Sequence, residues 1–466
     1  MQTTKSLKYW QWRTIVVTMI GYAMFYLVRK NFSFSMPGLG AEFGITKTQL
    51  GLFLTLHGVI YGLSRYVVNI LFGTSDAVAA WVVSIAGKAG DAAAIASVLV
   101  YVMGVLWMIN GFLQGMGVPP CTKTLTQWIH PKELATKMSI WNMSHSIGAG
   151  LAMALCGWLV MPHLGVDMSL NPEVVSSIAA NLNLDMNDPA SAAKVTSFAA
   201  HFGAWRWCFL IPAGVAILGS VWLFFFMKDS PSDVGLPEVV GKKKAIVTTP
   251  EEAAEHKAFV RKHVYGNRVI WTLAVTNFFV YVVRFAALDW GPTLLTESKG
   301  LSMANATTLC VVFELIGGNL GMLFWGWATD HIFRNKAHHT CVVCMVGVAL
   351  CVAAFWVLPS TAAWWVMLIP FTFLGFCIYG PQALLGVIAS NDVSKKAASS
   401  AVGVIGFMSY FSTLITGYPL GKFADTFGWH PIFILMAGVS VVGTLVIATI
   451  WNLKPKSVAK EDGEEK

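Results

Sequence analysis

The sequence predicts an all-α integral membrane protein with many membrane-crossing helices. Three observations lead there. Only 12% of the 466 residues are charged, while 56% are hydrophobic. A soluble domain carries about 25% charged residues, so this chain has too few to cover a water-exposed surface. Apolar runs of bilayer-crossing length recur along the chain. Its lysines and arginines gather in short segments between those runs, as the positive-inside rule describes.

The runs are Thr14–Phe34, Ala92–Met116, Trp205–Met227, Val269–Leu288, Cys310–Ala328, Cys341–Leu358, Trp364–Ile388 and Ile432–Ile450. Each is close to the ~20 residues that a helix needs to cross a ~30 Å hydrocarbon core. Lipid offers the backbone no hydrogen bonds, so such runs are expected to be helical. The 42 glycines suit close helix packing.

Charge orients the chain. Lys5, Lys8 and Arg13 precede the first run, which places the N-terminus in the cytoplasm. Lys242, Lys243, Lys244, Lys257, Arg261, Lys262 and Arg268 put a central linker on the same side, and Lys395, Lys396, Lys454 and Lys456 agree. The loop from Pro162 to Gly203 carries Asp167, Glu173, Asp185 and Asp188 against one Lys194, and is expected outside. No small-residue cleavage site closes the first run, so no cleavable signal is expected. The net charge of +8 follows from this loop bias and does not imply nucleic acid.

The chain divides into 1–227, a helical half; 228–268, a charged linker with Pro231, Pro237 and Pro250, partly helical around Glu251–Val264; 269–452, a second helical half; and the tail 453–466. Two halves joined in this way suggest the parallel repeat of major facilitator transporters. The first span of each half carries one arginine inside an apolar stretch: Arg29 in "YLVRKN" and Arg284 in "VYVVRF". A charge at the bilayer centre costs at least ~2.5–3.5 kcal/mol. Such a residue faces a polar cavity or a partner. Arginine's planar fork matches phosphate or carboxylate with two parallel hydrogen bonds. One arginine from each half would clamp an anion. The alternative is a structural ion pair, and Arg284 has Asp289 five residues on.

Cys121, Cys156, Cys208, Cys310, Cys341, Cys344, Cys351 and Cys377 mostly lie in apolar runs, where a thiol acts as a small hydrophobe. Cys341 and Cys344 open an apolar helix without the βαβ context of a redox motif. No metal site, catalytic triad or nucleotide-binding loop is evident, so neither an enzyme nor an ATP-driven pump is expected, and no cofactor.

The stretches "GYAMFYLVRKNF", "GFLQGMGVPPC", "WNMSHSIGAG", "VYVVRFAALDWGP", "GWATDHIF" and "IYGPQALLG" resemble the organophosphate:phosphate antiporters of the major facilitator superfamily. The resemblance runs in order from about Lys8 to Trp451. It implies a major facilitator fold of two six-helix halves, about 12 transmembrane helices in all, with a central cavity, and exchange of a phosphate ester for inorganic phosphate. It also implies roles for particular residues. Arg29 and Arg284 match the family's paired phosphate-binding arginines, His145 its cavity histidine and Asn142 the accompanying asparagine. Arg65 stands where the family has a cavity lysine. Tyr22, Tyr26, Tyr61, Tyr281, Tyr379 and Tyr410 match cavity tyrosines. Lys30 with Asp289 matches a salt bridge, Glu314 a second buried acid, and Asp330 with Arg334 the charged signal of the second half. Residue chemistry agrees: a histidine donates to phosphate and titrates near neutrality, and Tyr22 and Tyr26 lie four apart on the face leading to Arg29. His57 has no such support and is expected to be structural.

The chain departs from the family at one place. Members carry Gly-x-x-x-Asp-Arg after the second helix; here "YGLSR" runs into "YVVNILFGTSD". On that alignment about two dozen residues are missing, enough to remove a loop and much of a helix. The segment 66–92 is therefore atypical, with a remodelled short span expected at about 74–90.

Two functions fit: an antiporter for a small phosphate ester, or a transporter-like membrane sensor of hexose phosphate that signals to a partner kinase. A monomer in a bacterial inner membrane is expected for either. Hexose-phosphate transporters of the family carry an acid and a lysine in the eleventh helix, and "SSAVGVIGFMSY" has neither. This favours a smaller ester or the sensor. Topology supplies the first prediction. An even number of spans in each half requires 66–92 to cross the membrane. In a background without other reactive cysteines, a cysteine at Ser75 should label from the cytoplasm and one at Asp91 from outside. Labelling of both from one side would remove this span.

Overall fold

The structure, a computed structural model, describes residues 6–67, 92–115, 117–237, 239, 250–393 and 397–453. The short span expected at about 74–90 lies outside these residues. In chain order the helices are α1 (Leu7–Phe43), α2 (Lys47–Val67), α3 (Ala92–Gly115), α4 (Val118–Trp128), α5 (Pro131–Ala154), α6 (Pro172–Leu182), α7 (Pro189–Ala200) and α8 (Ala204–Phe226). After them come α9 (Pro250–Val260), α10 (Arg268–Asp289), α11 (Gly291–Ser298), α12 (Met303–Val312), α13 (Asn319–His331) and α14 (Ala337–Val357). The last are α15 (Trp364–Asp392), α16 (Ala398–Phe411), α17 (Thr413–Thr416), α18 (Tyr418–Phe427) and α19 (His430–Ala448). Among the described residues, eight helices are long and apolar enough to cross a bilayer. The only pairing outside helices there is an isolated antiparallel bridge, Val166 with Phe202.

The chain forms two compact units. The first holds residues 1–240, 288–311 and 413–428; the second holds 241–287, 312–412 and 429–466. These boundaries cut across the two sequence halves, because the segments following α10 and α16 pack with the first unit.

In the first unit, α1 is the central element. It packs on α5 and α8, and α2 packs on α3 and α18. Ser6 caps α1 by accepting from Tyr9 N–H, and the helix ends at Gly44 in the left-handed conformation (φ 63°), which glycine adopts without a Cβ penalty. Small and hydroxyl residues join α2 to α18. A Cβ at Gly51, Gly417 or Gly421 would overlap the backbone of the facing helix. The Thr55 hydroxyl donates to Thr413 O (3.0 Å) and accepts from Tyr418 N–H (2.8 Å). At the end of this seam Asp425 takes the place of an N-cap for α2. Its carboxylate accepts from Lys47 N–H (3.2 Å), Thr48 N–H (2.7 Å) and the Thr48 hydroxyl (2.6 Å). Lys47 Nζ lies 3.2 Å from Glu297 and 3.7 Å from Asp425. Carboxylates are favourable beside a helix N-terminus because they satisfy its unpaired N–H groups.

The acidic stretch expected as a loop folds into two helices. Asn171 caps α6 by accepting from Glu173 and Val174 N–H, and Asp188 caps α7 by accepting from Ser191 N–H. Proline follows each cap at the first helical position, where its missing N–H costs nothing. Ile178, Ala179, Val195 and Ala199 form a small core against Ala41 at the end of α1.

In the second unit, α14 packs on α15 and α19, and α15 packs on α13 and α16. A π-turn, Phe313–Gly318, interrupts the path from α12 to α13 and packs on α15. The linker helix expected over 251–264 is present as α9 and a second π-turn, Arg261–Tyr265.

Overpacking a tight helix contact costs about 1–3 kcal/mol. Gly421→Val should therefore lower the thermal unfolding midpoint in detergent. Gly438→Val, at a glycine whose added Cβ meets nothing within 4 Å, should leave it unchanged. Equal midpoints for the two variants would show that the seam tolerates separation.

Candidate functional site

Ten of the expected site residues gather in two clusters, one in each unit: Tyr22, Tyr26, Arg29, Tyr61 and His145 in the first, Tyr281, Arg284, Glu314, Tyr379 and Tyr410 in the second. In the first unit α1 places Tyr22, Tyr26 and Arg29 along one face. Arg29 Nη1 donates to the Tyr26 hydroxyl at 3.2 Å. Its guanidinium centre lies 4.0 Å from the Tyr61 ring and 5.1 Å from the Tyr26 ring. The faces of two electron-rich rings stabilise this cation. Tyr22 and Tyr26 rings are 5.3 Å apart, and the Tyr26 ring is 5.8 Å from His145. His145 is buried, and its Nδ1 meets the backbone carbonyl of Asn142. A carbonyl only accepts, so Nδ1 carries the proton of that bond and Nε2 is the nitrogen left to face other groups. The Asn142 side chain itself is exposed. The Arg65 side chain lies outside the described residues.

Lys30 points away from this cluster. Its Nζ meets Asp289 Oδ1 at 2.5 Å, and Lys30 is buried. This is the pairing that the resemblance implied, and it ties α1 to the end of α10. His57, expected to be structural, stacks on Trp107 at 4.9 Å with Nδ1 3.2 Å from the Trp107 carbonyl.

In the second unit Arg284 is the centre. It is 7% exposed, and Glu314 is fully buried. Arg284 Nη2 lies 3.3 Å from Glu314 Oε1 and donates to the Tyr379 hydroxyl at 2.7 Å. The guanidinium centre is 4.9 Å from the Tyr379 ring and 5.5 Å from the Tyr281 ring. Tyr281 in turn sits 6.2 Å from Tyr410, ring to ring. Arg284 Nε is buried and makes no hydrogen bond among the described residues. Glu314 lies on the π-turn Phe313–Gly318, and such turns redirect side chains out of the α-helical register. About one turn on from Glu314, the backbone of Gly318 leaves room for the Tyr379 ring, which an added Cβ would meet at 2.9 Å.

Arg284 thus has an internal counter-ion and a spare donor. A buried charge is tolerated only when it is paired and hydrogen-bonded. An incoming dianion would compete with Glu314 for the same fork.

Asp330 and Arg334, the charged signal of the second half, do not pair with each other among the described residues. Both side chains are exposed. α13 ends at His331, and Arg334 adopts φ 51°. Residues four apart meet only on a continuous helix, and the turn breaks that register.

Sequence reasoning missed Asn277. It is buried, and its Nδ2 donates to Ser409 Oγ at 2.5 Å and to Ile405 O at 3.2 Å, joining α10 to α16. A lone asparagine in an apolar run was the available signal.

A protein of Chlamydia muridarum (strain MoPn / Nigg) named "Probable hexose phosphate transport protein" is 31% identical over 98% of this chain and 94% of its own length. The glycerol-3-phosphate transporter of Bacillus subtilis (strain 168) is 31% identical over 93% of this chain and 90% of its own. The inward open structure of the xylose transporter XylE from E. coli aligns with a TM-score of 0.63 at 14% identity. That alignment covers 97% of this chain and 99% of that one, and shows the same fold. The family model described as Major Facilitator Superfamily matches residues 18–417. This chain belongs to the Major Facilitator Superfamily: an all-helical membrane transporter fold and not an enzyme.

Proposed function

We propose that this protein exchanges a phosphorylated small metabolite for inorganic phosphate across a bacterial inner membrane by alternating access, as a monomer. Arg29 and Arg284 bind the phosphate, with His145, Asn142, Arg65 and the six tyrosines lining the path. The N-terminus, the linker 228–268 and the C-terminal tail lie in the cytoplasm. The reading rests chiefly on Arg284, a buried guanidinium with one acid partner and a spare donor. It is strengthened by relatives named for hexose phosphate and glycerol-3-phosphate transport. The stretch Ser399–Tyr410 lacks charge, and its Ser409 is already bound by Asn277. The missing charge favours a smaller ester such as a glycerol phosphate or phosphoglycerate, or the sensor reading.

The direct test is counterflow of labelled phosphate in proteoliposomes against a panel of unlabelled esters. Binding without counterflow would instead make the protein a sensor. Arg29→Lys and Arg284→Lys should each weaken phosphate binding tenfold or more in folded protein. Lysine keeps the charge but loses the two-pronged geometry. Unchanged affinity in both variants would refute the clamp. Glu314→Gln leaves Arg284 without its counter-ion, and breaking a buried pair in this way costs about 3–5 kcal/mol. Inorganic phosphate should therefore raise the unfolding midpoint of Glu314→Gln more than that of the unaltered protein. An equal or smaller rise would show that phosphate does not approach Arg284.

Binding should also follow pH through two groups: the second ionisation of the phosphate, near pH ~6, and the imidazole of His145. A protonated Nε2 donates to the dianion; a neutral one does not. His145→Gln should keep only the phosphate's limb of the profile. A full profile in that variant would remove His145 from the binding step.

A further inference from the structure

We propose that residues 257–268, at the entry to α10, bind the phosphate headgroups of anionic membrane lipids. The segment is two-faced. Val264 is fully buried, and Phe259 and Val260 are half-buried, so one face is docked on the protein. Lys257, Arg261, Lys262 and Arg268 are all exposed. None of the four forms an ion pair among the described residues.

Among the described residues, the acids nearby do not pair with them. Glu255 precedes Lys257 by two residues, and side chains two apart on a helix do not face each other. The Asp392 carboxylate accepts from Asn267 Nδ2 at 2.7 Å. His263 is occupied by a ring stack on Phe259 at 4.3 Å.

Two aromatics fix the depth. Tyr265 is 51% and Trp271 42% exposed, and Trp271 Nε1 donates to the Tyr265 carbonyl at 2.8 Å. That bond fastens the cationic turn to the first turn of a membrane-crossing helix. Exposed tyrosine and tryptophan at a span end sit at headgroup level. Four cations on the same short segment then lie beside lipid phosphates, and the two-pronged arginines match a phosphate diester. An acidic protein partner would suit the charge alone. The exposed rings favour the bilayer interface. The inference requires that α10 crosses a membrane and does not depend on what is transported.

The test uses the full-length protein in nanodiscs of phosphatidylcholine with a graded fraction of phosphatidylglycerol. Native mass spectrometry reads the phosphatidylglycerol retained on release. Each Lys or Arg near an anionic surface contributes about fivefold in affinity. Lys257→Gln, Arg261→Gln, Lys262→Gln and Arg268→Gln should therefore each lower retention by about that factor. The quadruple variant should lose the preference over phosphatidylcholine. Should the quadruple variant not fold, Arg261→Lys and Arg268→Lys, which keep the charge, should retain most of the binding that the single glutamine variants lose. Equal retention of the two lipids by the unaltered protein, or full retention by the glutamine variants, would overturn the proposal. So would displacement of the lipid by inorganic phosphate at equal concentration, which would make this a soluble-anion site. Tighter binding of a polyglutamate peptide than of phosphatidylglycerol would overturn it in favour of a protein partner.

Discussion

A guanidinium inside an apolar helix bundle cannot shed its charge, because arginine stays protonated at any physiological pH. The second unit is organised around that constraint. Glu314 faces Arg284, and the Tyr379 hydroxyl accepts from the same nitrogen. A π-turn carries Glu314, and a side-chain-free glycine at 318 admits the Tyr379 ring. Replacing the arginine–glutamate pair by hydrophobic residues of similar volume would often be neutral or stabilising. The pair is therefore weak evidence for stability. The first unit solves the same problem differently. Arg29 lies over two tyrosine rings, while its neighbour Lys30 takes the carboxylate of Asp289.

The α2–α18 seam has a different physical basis. Lipid provides no hydrophobic force between helices, so close backbone approach and polar contacts hold them together. Gly51, Gly417 and Gly421 permit the approach, and Thr55 and Asp425 supply hydrogen bonds. These contacts are directional, so the junction is specific in its register.

How much of this was legible follows from the physics of each signal. Arg29 and Arg284 stood out because a charge in an apolar run is costly, and that is visible in one dimension. The pairings were not. Lys30 and Asp289 are 259 positions apart, so only the family resemblance joined them. The resemblance also singled out Glu314, but not its partner; the π-turn that aims it has no periodic signature. The same resemblance singled out Asp330 and Arg334 as the charged signal of the second half, and the left-handed backbone at Arg334 takes it off the helix that carries Asp330. The two helices of the acidic stretch were hidden by its charge, which reads as loop. Their markers were present as Asn171–Pro172 and Asp188–Pro189, each a cap residue followed by a first-turn proline.

Those two helices also make the protein easier to study. Most of a membrane transporter disappears into detergent or lipid, which leaves little for image alignment or antibody recognition to grip. The α6–α7 insert is a small folded body with its own core, seated on Ala41 at the end of α1. A binding fragment raised against residues 172–200 would thus hold a rigid epitope and not a floppy loop. It would report the tilt of the helix that carries Arg29, and serve at once as an orientation marker and a conformational probe.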